Sequence, residues 1–99
     1  MTEEGKIQKK ILDYLNGLDC CKAVKVMEAN EAGTPDIACC WRGRMVMLEV
    51  KQGQEHAIRS CERQPIQVVR ICEWQDAGAI AATVWSVNQV ESIIGSIRL

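Results

Sequence analysis

Apolar positions along the chain repeat with two different periods. Between residues 4 and 18, Ile7, Ile11, Leu12, Leu15 and Leu18 recur at helical spacing, with lysines on the other face, which predicts an amphipathic helix. From Lys22 to Met27 the pattern changes to alternation, with Val24 and Val26 set between lysines, which predicts a strand. The polar run EANEAG, residues 28–33, is then a loop leading into Thr34-Pro35, where proline biases the residue before it toward extended backbone.

Residues 37–50 predict a β-hairpin. If Arg42-Gly43 is a two-residue turn, with Gly43 supplying the positive φ such loops need, Trp41 pairs with Arg44 and Asp36 faces Glu49. Ile37, Cys39, Trp41, Val46, Leu48 and Val50 then share one face, and Ala38, Cys40, Met45 and Met47 the other. With apolar residues on both faces, the sheet is expected to be covered on both sides.

Residues 52–63 are polar and are expected to form a loop. Pro65 suits the first turn of a helix and Gly78 its stop, bracketing Ile66, Val69, Ile71 and Cys72. The segment AIAATVW is a fourth strand, and Ser86 with Gln89 forms a capping box for a last helix carrying Val90, Ile93, Ile94 and Ile97. The resulting order is αβββαβα, an α/β fold with a mixed sheet flanked by helices.

At 99 residues the chain is expected to form one domain, 1–99, with room for one site. The 47% hydrophobic and 25% charged fractions are those of a globular chain. The acidic start, Met1-Thr-Glu-Glu, lacks the apolar stretch of a signal peptide, and no run reaches the roughly 18 residues of a membrane helix. A cytoplasmic protein without a membrane partner is expected. The cysteines at 20, 21, 39, 40, 61 and 72 show no C-x-x-C spacing and are expected to be reduced, small core hydrophobes.

A net charge of −1 argues against nucleic-acid binding by bulk charge alone. It leaves room for locally basic surface beside a cluster of acids. Lys6, Lys9 and Lys10, the hairpin tip Arg42 and Arg44, and the run Lys51, His56, Arg59 and Arg63 supply such groups.

The chemistry gathers at one end of the hairpin. Directly opposed side chains of an antiparallel pair sit roughly 4.5–5.5 Å apart at Cβ, so Asp36 and Glu49 repel. Lys51 lies on the same face as Glu49, roughly 6.6 Å along. A divalent cation drawing oxygen ligands from both carboxylates relieves the repulsion, as Mg²⁺ sites do with one or two carboxylates and substrate phosphates. Metal-assisted phosphodiester hydrolysis needs such carboxylates, and it gains from a cation that stabilises the charged transition state.

Gly33-Thr34-Pro35-Asp36 followed by Glu49-Val50-Lys51 resembles the G-x-P-D and E-V-K signatures of the PD-(D/E)xK nuclease superfamily, within an order of elements like its αβββαβ core. Within that superfamily the chain resembles the VRR-NUC family, small virus-type and Holliday-junction-resolvase-like members included. The resemblance runs from the first helix through RQPIQVVRICEWQDAGAIAATVWSVNQVESI. It implies that Asp36 and Glu49 are metal ligands with the Val50 carbonyl, and that Lys51 is the catalytic lysine. It also implies that Gln67 is a catalytic glutamine and that Glu4 approaches the metal, with Glu3 competing for that role. Where family members often carry a serine three residues before the glutamine, this chain has Gln64.

The activity implied is that of an endodeoxyribonuclease dependent on Mg²⁺ or Mn²⁺. It would act as a homodimer on branched DNA such as a four-way junction, in bacterial or phage-infected host cytoplasm. Lys51, His56, Arg59, Arg63, Arg42 and Arg44 are the expected DNA contacts. The alternatives are a flap or single-strand endonuclease, or a non-catalytic DNA-binding or assembly module of a phage replication complex.

Overall fold

A computed structural model describes all residues, 1–99. The elements are α1 (Glu3–Asn16), β1 (Cys21–Lys25), β2 (Ile37–Trp41), β3 (Arg44–Val50), α2 (Gln54–Arg63), α3 (Pro65–Asp76), β4 (Ile80–Val84) and α4 (Val87–Ser96). The strands form one sheet in the order β1-β2-β3-β4. The first two pairings are antiparallel and β3-β4 is parallel, so the sheet is mixed.

The hairpin register follows from its turn. Arg42 at φ 49 and Gly43 at φ 83 both occupy the left-handed region, as a two-residue hairpin loop requires. Trp41 then pairs with Arg44 and Ile37 with Leu48. One sheet face carries the core: Ile37, Cys39, Val46, Leu48 and Val50 pack with Ile11 and Leu15 of α1, Val84 of β4, and Val90 and Ile94 of α4. The ends of these helices are fixed locally. Thr2 caps α1 by accepting from the Gly5 N–H, and Ser86 and Gln89 form the reciprocal capping box of α4.

Three expectations are corrected. Residues 54–63 are a helix rather than a loop, so the order is αβββααβα. This helix buries only Ala57, too little apolar surface to leave a hydrophobic stripe in the sequence. The second sheet face is covered over only part of its area: Met47 and Ala81 are buried, while Cys40, Met45 and Val24 stay exposed. Helix α3 packs mainly against β4 and β3. Of the six free cysteines only Cys39 is buried; Cys21 is half-buried with its Sγ 3.4 Å from that of Cys39, and the other four are exposed.

Both outer edges of the sheet are met by side-chain amides. On β1, Asn16 accepts from the Ala23 N–H at 2.9 Å and donates to the Ala23 carbonyl at 3.0 Å. On β4, Gln75 donates to the Ala81 carbonyl at 2.9 Å. No helix is long and apolar enough to cross a membrane.

Candidate metal centre and nucleic-acid cleft

The loop before β2 is built to deliver one carboxylate. Gly33 sits at φ 83, and a Cβ there would meet the backbone carbon and oxygen of Ile66 at 3.2 Å, so any other residue is strained by both its backbone conformation and its closeness to the start of α3. Arg70 of α3 grips the same loop, donating to the Ala32 carbonyl at 2.9 Å and pairing with Glu31 at 3.4 Å. Pro35 is fully buried, and the Asp36 carbonyl accepts from the Val26 N–H at 2.7 Å. Asp36 is thereby fixed at the end of the hairpin, and its Oδ2 accepts from the Val50 N–H at 2.8 Å.

Glu49, one residue back on β3, is only 3% exposed. Glu4 enters from the first turn of α1, and carboxylate oxygens of Glu4, Asp36 and Glu49 all lie within 4.8 Å of one another. Glu3 points elsewhere, pairing with Lys6 at 3.2 Å.

Three carboxylates this close destabilise one another's charged forms. Burial first, then the hydrogen bond and charge of Asp36, push the Glu49 carboxyl up to about 9, with Glu4 adding to the shift. Lys51 opposes it, with Nζ 3.7 Å from Glu49 Oε2. One lysine does not balance the cluster. An all-oxygen, acidic donor set suits a hard divalent cation such as Mg²⁺ or Mn²⁺ rather than a thiophilic one.

Beside the carboxylates opens a cleft of about 410 Å³ with no hydrophobic residue in its lining. Its floor includes Glu4, Lys51, Gln52 and Gln64. One wall is α2, which contributes His56, Arg59, Ser60 and Arg63, spaced i, i+3, i+4 and i+7 so that all four lie on one helical face. Two of these four side chains, Arg59 and Arg63, are cations. Arg59 is partly engaged by an exposed pair with Glu55 at 2.7 Å.

Against solved structures, the chain matches one described as "VRR_NUC domain", with a TM-score of 0.64 and 24% sequence identity over 99% of this chain and 100% of that one. The chain has the VRR_NUC fold. No protein-family model and no curated protein matches it.

Within the VRR_NUC fold, Asp36, Glu49, Glu4, Lys51, His56, Arg59 and Arg63 come together at one end of the sheet. Arg42 and Arg44 do not. They stand at the hairpin tip, five to six residue rises or about 17–20 Å along the strands from Asp36. There Arg42 lies 5.6 Å over the Trp41 ring, and Arg44 Nε donates to the Arg98 carbonyl at 3.2 Å. Gln67 is half-buried in the first turn of α3, and its Oε1 is buried with no hydrogen-bond partner.

Gln52 and Ser60, which no sequence motif marks, line the cleft, and so does Gln64, which stands where family members often have serine. The spacing 56, 59, 60, 63 was the available signal. It is a polar helical period, hidden because attention to apolar periodicity alone reads such a segment as a loop.

Proposed function

We propose that this chain is a VRR-NUC nuclease of the PD-(D/E)xK superfamily, a divalent-metal-dependent endonuclease that hydrolyses phosphodiester bonds in DNA. The observation that carries the reading is the convergence of Glu4, Asp36 and Glu49 within 4.8 Å, with the Lys51 ammonium 3.7 Å from Glu49.

Glu4, Asp36 and Glu49 would hold Mg²⁺ or Mn²⁺, together with the Val50 carbonyl. In an extended strand a residue's N–H and C=O leave on the same edge, and the Val50 N–H already points to Asp36. When bound, such a cation lowers the pKa of water and neutralises charge on the attacked phosphate.

The chain's own residues supply the rest. The Val50 N–H fixes the rotamer of Asp36, and the buried strand fixes Glu49. Lys51 brings a positive charge to the place where negative charge grows on the phosphoryl oxygens. Gln67, with its unsatisfied buried oxygen, is the further catalytic candidate. His56, Arg59 and Arg63 on the cleft face of α2 contact phosphates rather than bases, because no aromatic platform for stacking lines the cleft.

The preferred substrate in this reading is branched DNA, a four-way junction first, cut by a homodimer in the cytoplasm. One cleft of four basic groups on a chain of net charge −1 grips little duplex, whereas two-fold symmetry doubles the contacts and sets two sites toward two strands. The test is cleavage of labelled junction, flap, single-stranded and duplex DNA in Mg²⁺, Mn²⁺ or EDTA, with sedimentation of the same preparation. Metal-dependent paired nicks in the junction by a dimer are expected. Cutting confined to flaps or single strands would replace the junction, and no cutting of any substrate would reduce the chain to a binding module.

A further inference from the structure

Pro65 does more than start α3. Proline disfavours helical backbone in the residue before it, and Gln64 is driven out to φ −132, ψ 62, which ends α2 and begins α3 at one residue. The backbone of Gln64 is nevertheless held from both sides. Its N–H donates to the Ser60 carbonyl at 2.8 Å, and its carbonyl accepts from the Gln67 N–H at 3.0 Å.

With the main chain pinned between two helices, the side chain leaves toward the cleft, where Oε1 accepts from Lys51 Nζ at 3.4 Å. Lys51 therefore has one side-chain hydrogen-bond acceptor, Gln64 at 3.4 Å, beside an ion-pair contact with Glu49 at 3.7 Å. They act differently. Glu49 places the ammonium beside the carboxylate cluster, while the neutral amide of Gln64 draws it toward α2 without cancelling its charge.

We propose that Gln64 is the positioning residue for Lys51, holding the ammonium at the boundary between the carboxylate cluster and the α2 wall of the cleft. The inference deepens the nuclease reading and rests on it for the role of Lys51. The contact itself does not depend on that reading. The Lys51 side chain is only 12% exposed, which limits its swing, but an ion-pair contact at 3.7 Å does not by itself fix where the ammonium sits. The Gln64 acceptor sets that position before substrate arrives, and α2, which carries the basic face, carries the selector at its C-terminal end.

The experiment replaces Gln64 by Met, which keeps the length and removes the acceptor. On a junction substrate at saturating Mg²⁺, Gln64→Met should lower kcat at least about tenfold, the equivalent of one hydrogen bond to a charged group, with KM within about twofold of wild type. In parallel, side-chain relaxation of the metal-free, DNA-free protein should show the Lys51 ammonium rigid in wild type and clearly more mobile in the variant.

Gln64→Glu, which retains the acceptor, should keep Lys51 rigid. It guards against a folding defect in the first variant. Wild-type kcat in Gln64→Met, or a Lys51 equally mobile in all three proteins, would overturn the proposal. Absence of cleavage by wild type would instead strike the nuclease reading, leaving the relaxation comparison to decide the contact.

Discussion

The Val50 backbone N–H donates to Asp36 Oδ2 at 2.8 Å, so the carboxylate that opens the hairpin is oriented by the strand that closes it. The site is organised before any cation or substrate enters, and its cost is the mutual repulsion of Glu4, Asp36 and Glu49.

That repulsion makes metal binding visible as stability. Mg²⁺ or Mn²⁺ binding only the folded chain should stabilise it by about 2.7 kcal/mol at a hundredfold excess over Kd. For a domain of this size the melting temperature should rise by roughly 10–20 °C. Asp36→Asn should remove most of the increase in a thermal-shift titration. An undiminished response would take Asp36 out of the site.

The metal-free protein should respond to pH in the opposite sense to most carboxylate-bearing proteins. Glu49 is raised in the folded chain from 4.5 to about 9, so between those values the folded chain holds a proton that the unfolded chain has released. Stability is therefore lost as pH rises through this window. Urea melts from pH 5 to 9 should show this decline, and Glu49→Gln should flatten it. Metal affinity should rise over the same window, because the bound proton is displaced.

Lys51→Ala separates the two halves of the site. It should leave the metal-induced thermal shift in place while lowering cleavage at least about 10²-fold. Arg59→Ala with Arg63→Ala should do the complementary thing, weakening DNA binding and lowering the slope of log affinity against log salt by about 2. Filter binding across a salt series reads this directly. An unchanged slope would remove the α2 face from the DNA contacts.

Gly33 offers a purely structural test. At φ 83 and with Ile66 backbone atoms 3.2 Å from where its Cβ would lie, Gly33→Ala is strained twice over. A loss of about 1–3 kcal/mol is expected in chemical denaturation. Because the displaced loop ends at Asp36, metal-induced stabilisation should fall with it, although Gly33 contacts no ion.

Much of this was legible in the residues. The Arg42-Gly43 turn fixes a register in which Ile37 meets Leu48, and continuing it brings Asp36 beside Glu49, as the 4.8 Å carboxylate cluster bears out. The capping box at Ser86 and Gln89 likewise forms as spaced. What the pattern hid was α2. Its only buried residue is Ala57, so its helical period lies in His56, Arg59, Ser60 and Arg63, the groups that face the cleft. Gln64 was noticed as a departure from a family pattern, but its contact with Lys51 depends on the backbone break that Pro65 imposes between two helices. The choice of Glu4 over Glu3 needed three dimensions too, since adjacent helical positions point about 100° apart and the loop that carries Asp36 decides between them.

The amides at the two ends of the sheet have a consequence for what its edges can accept. An open strand edge is a template on which another chain can add its own strand. Here Asn16 fills the ladder position beside Ala23, both donor and acceptor, and Gln75 takes the carbonyl of Ala81. Each substitutes for a neighbouring strand with a single side chain. The four-stranded sheet is thus closed to growth at those positions, and any association of copies would have to use side-chain surfaces, where shape and charge can choose the partner.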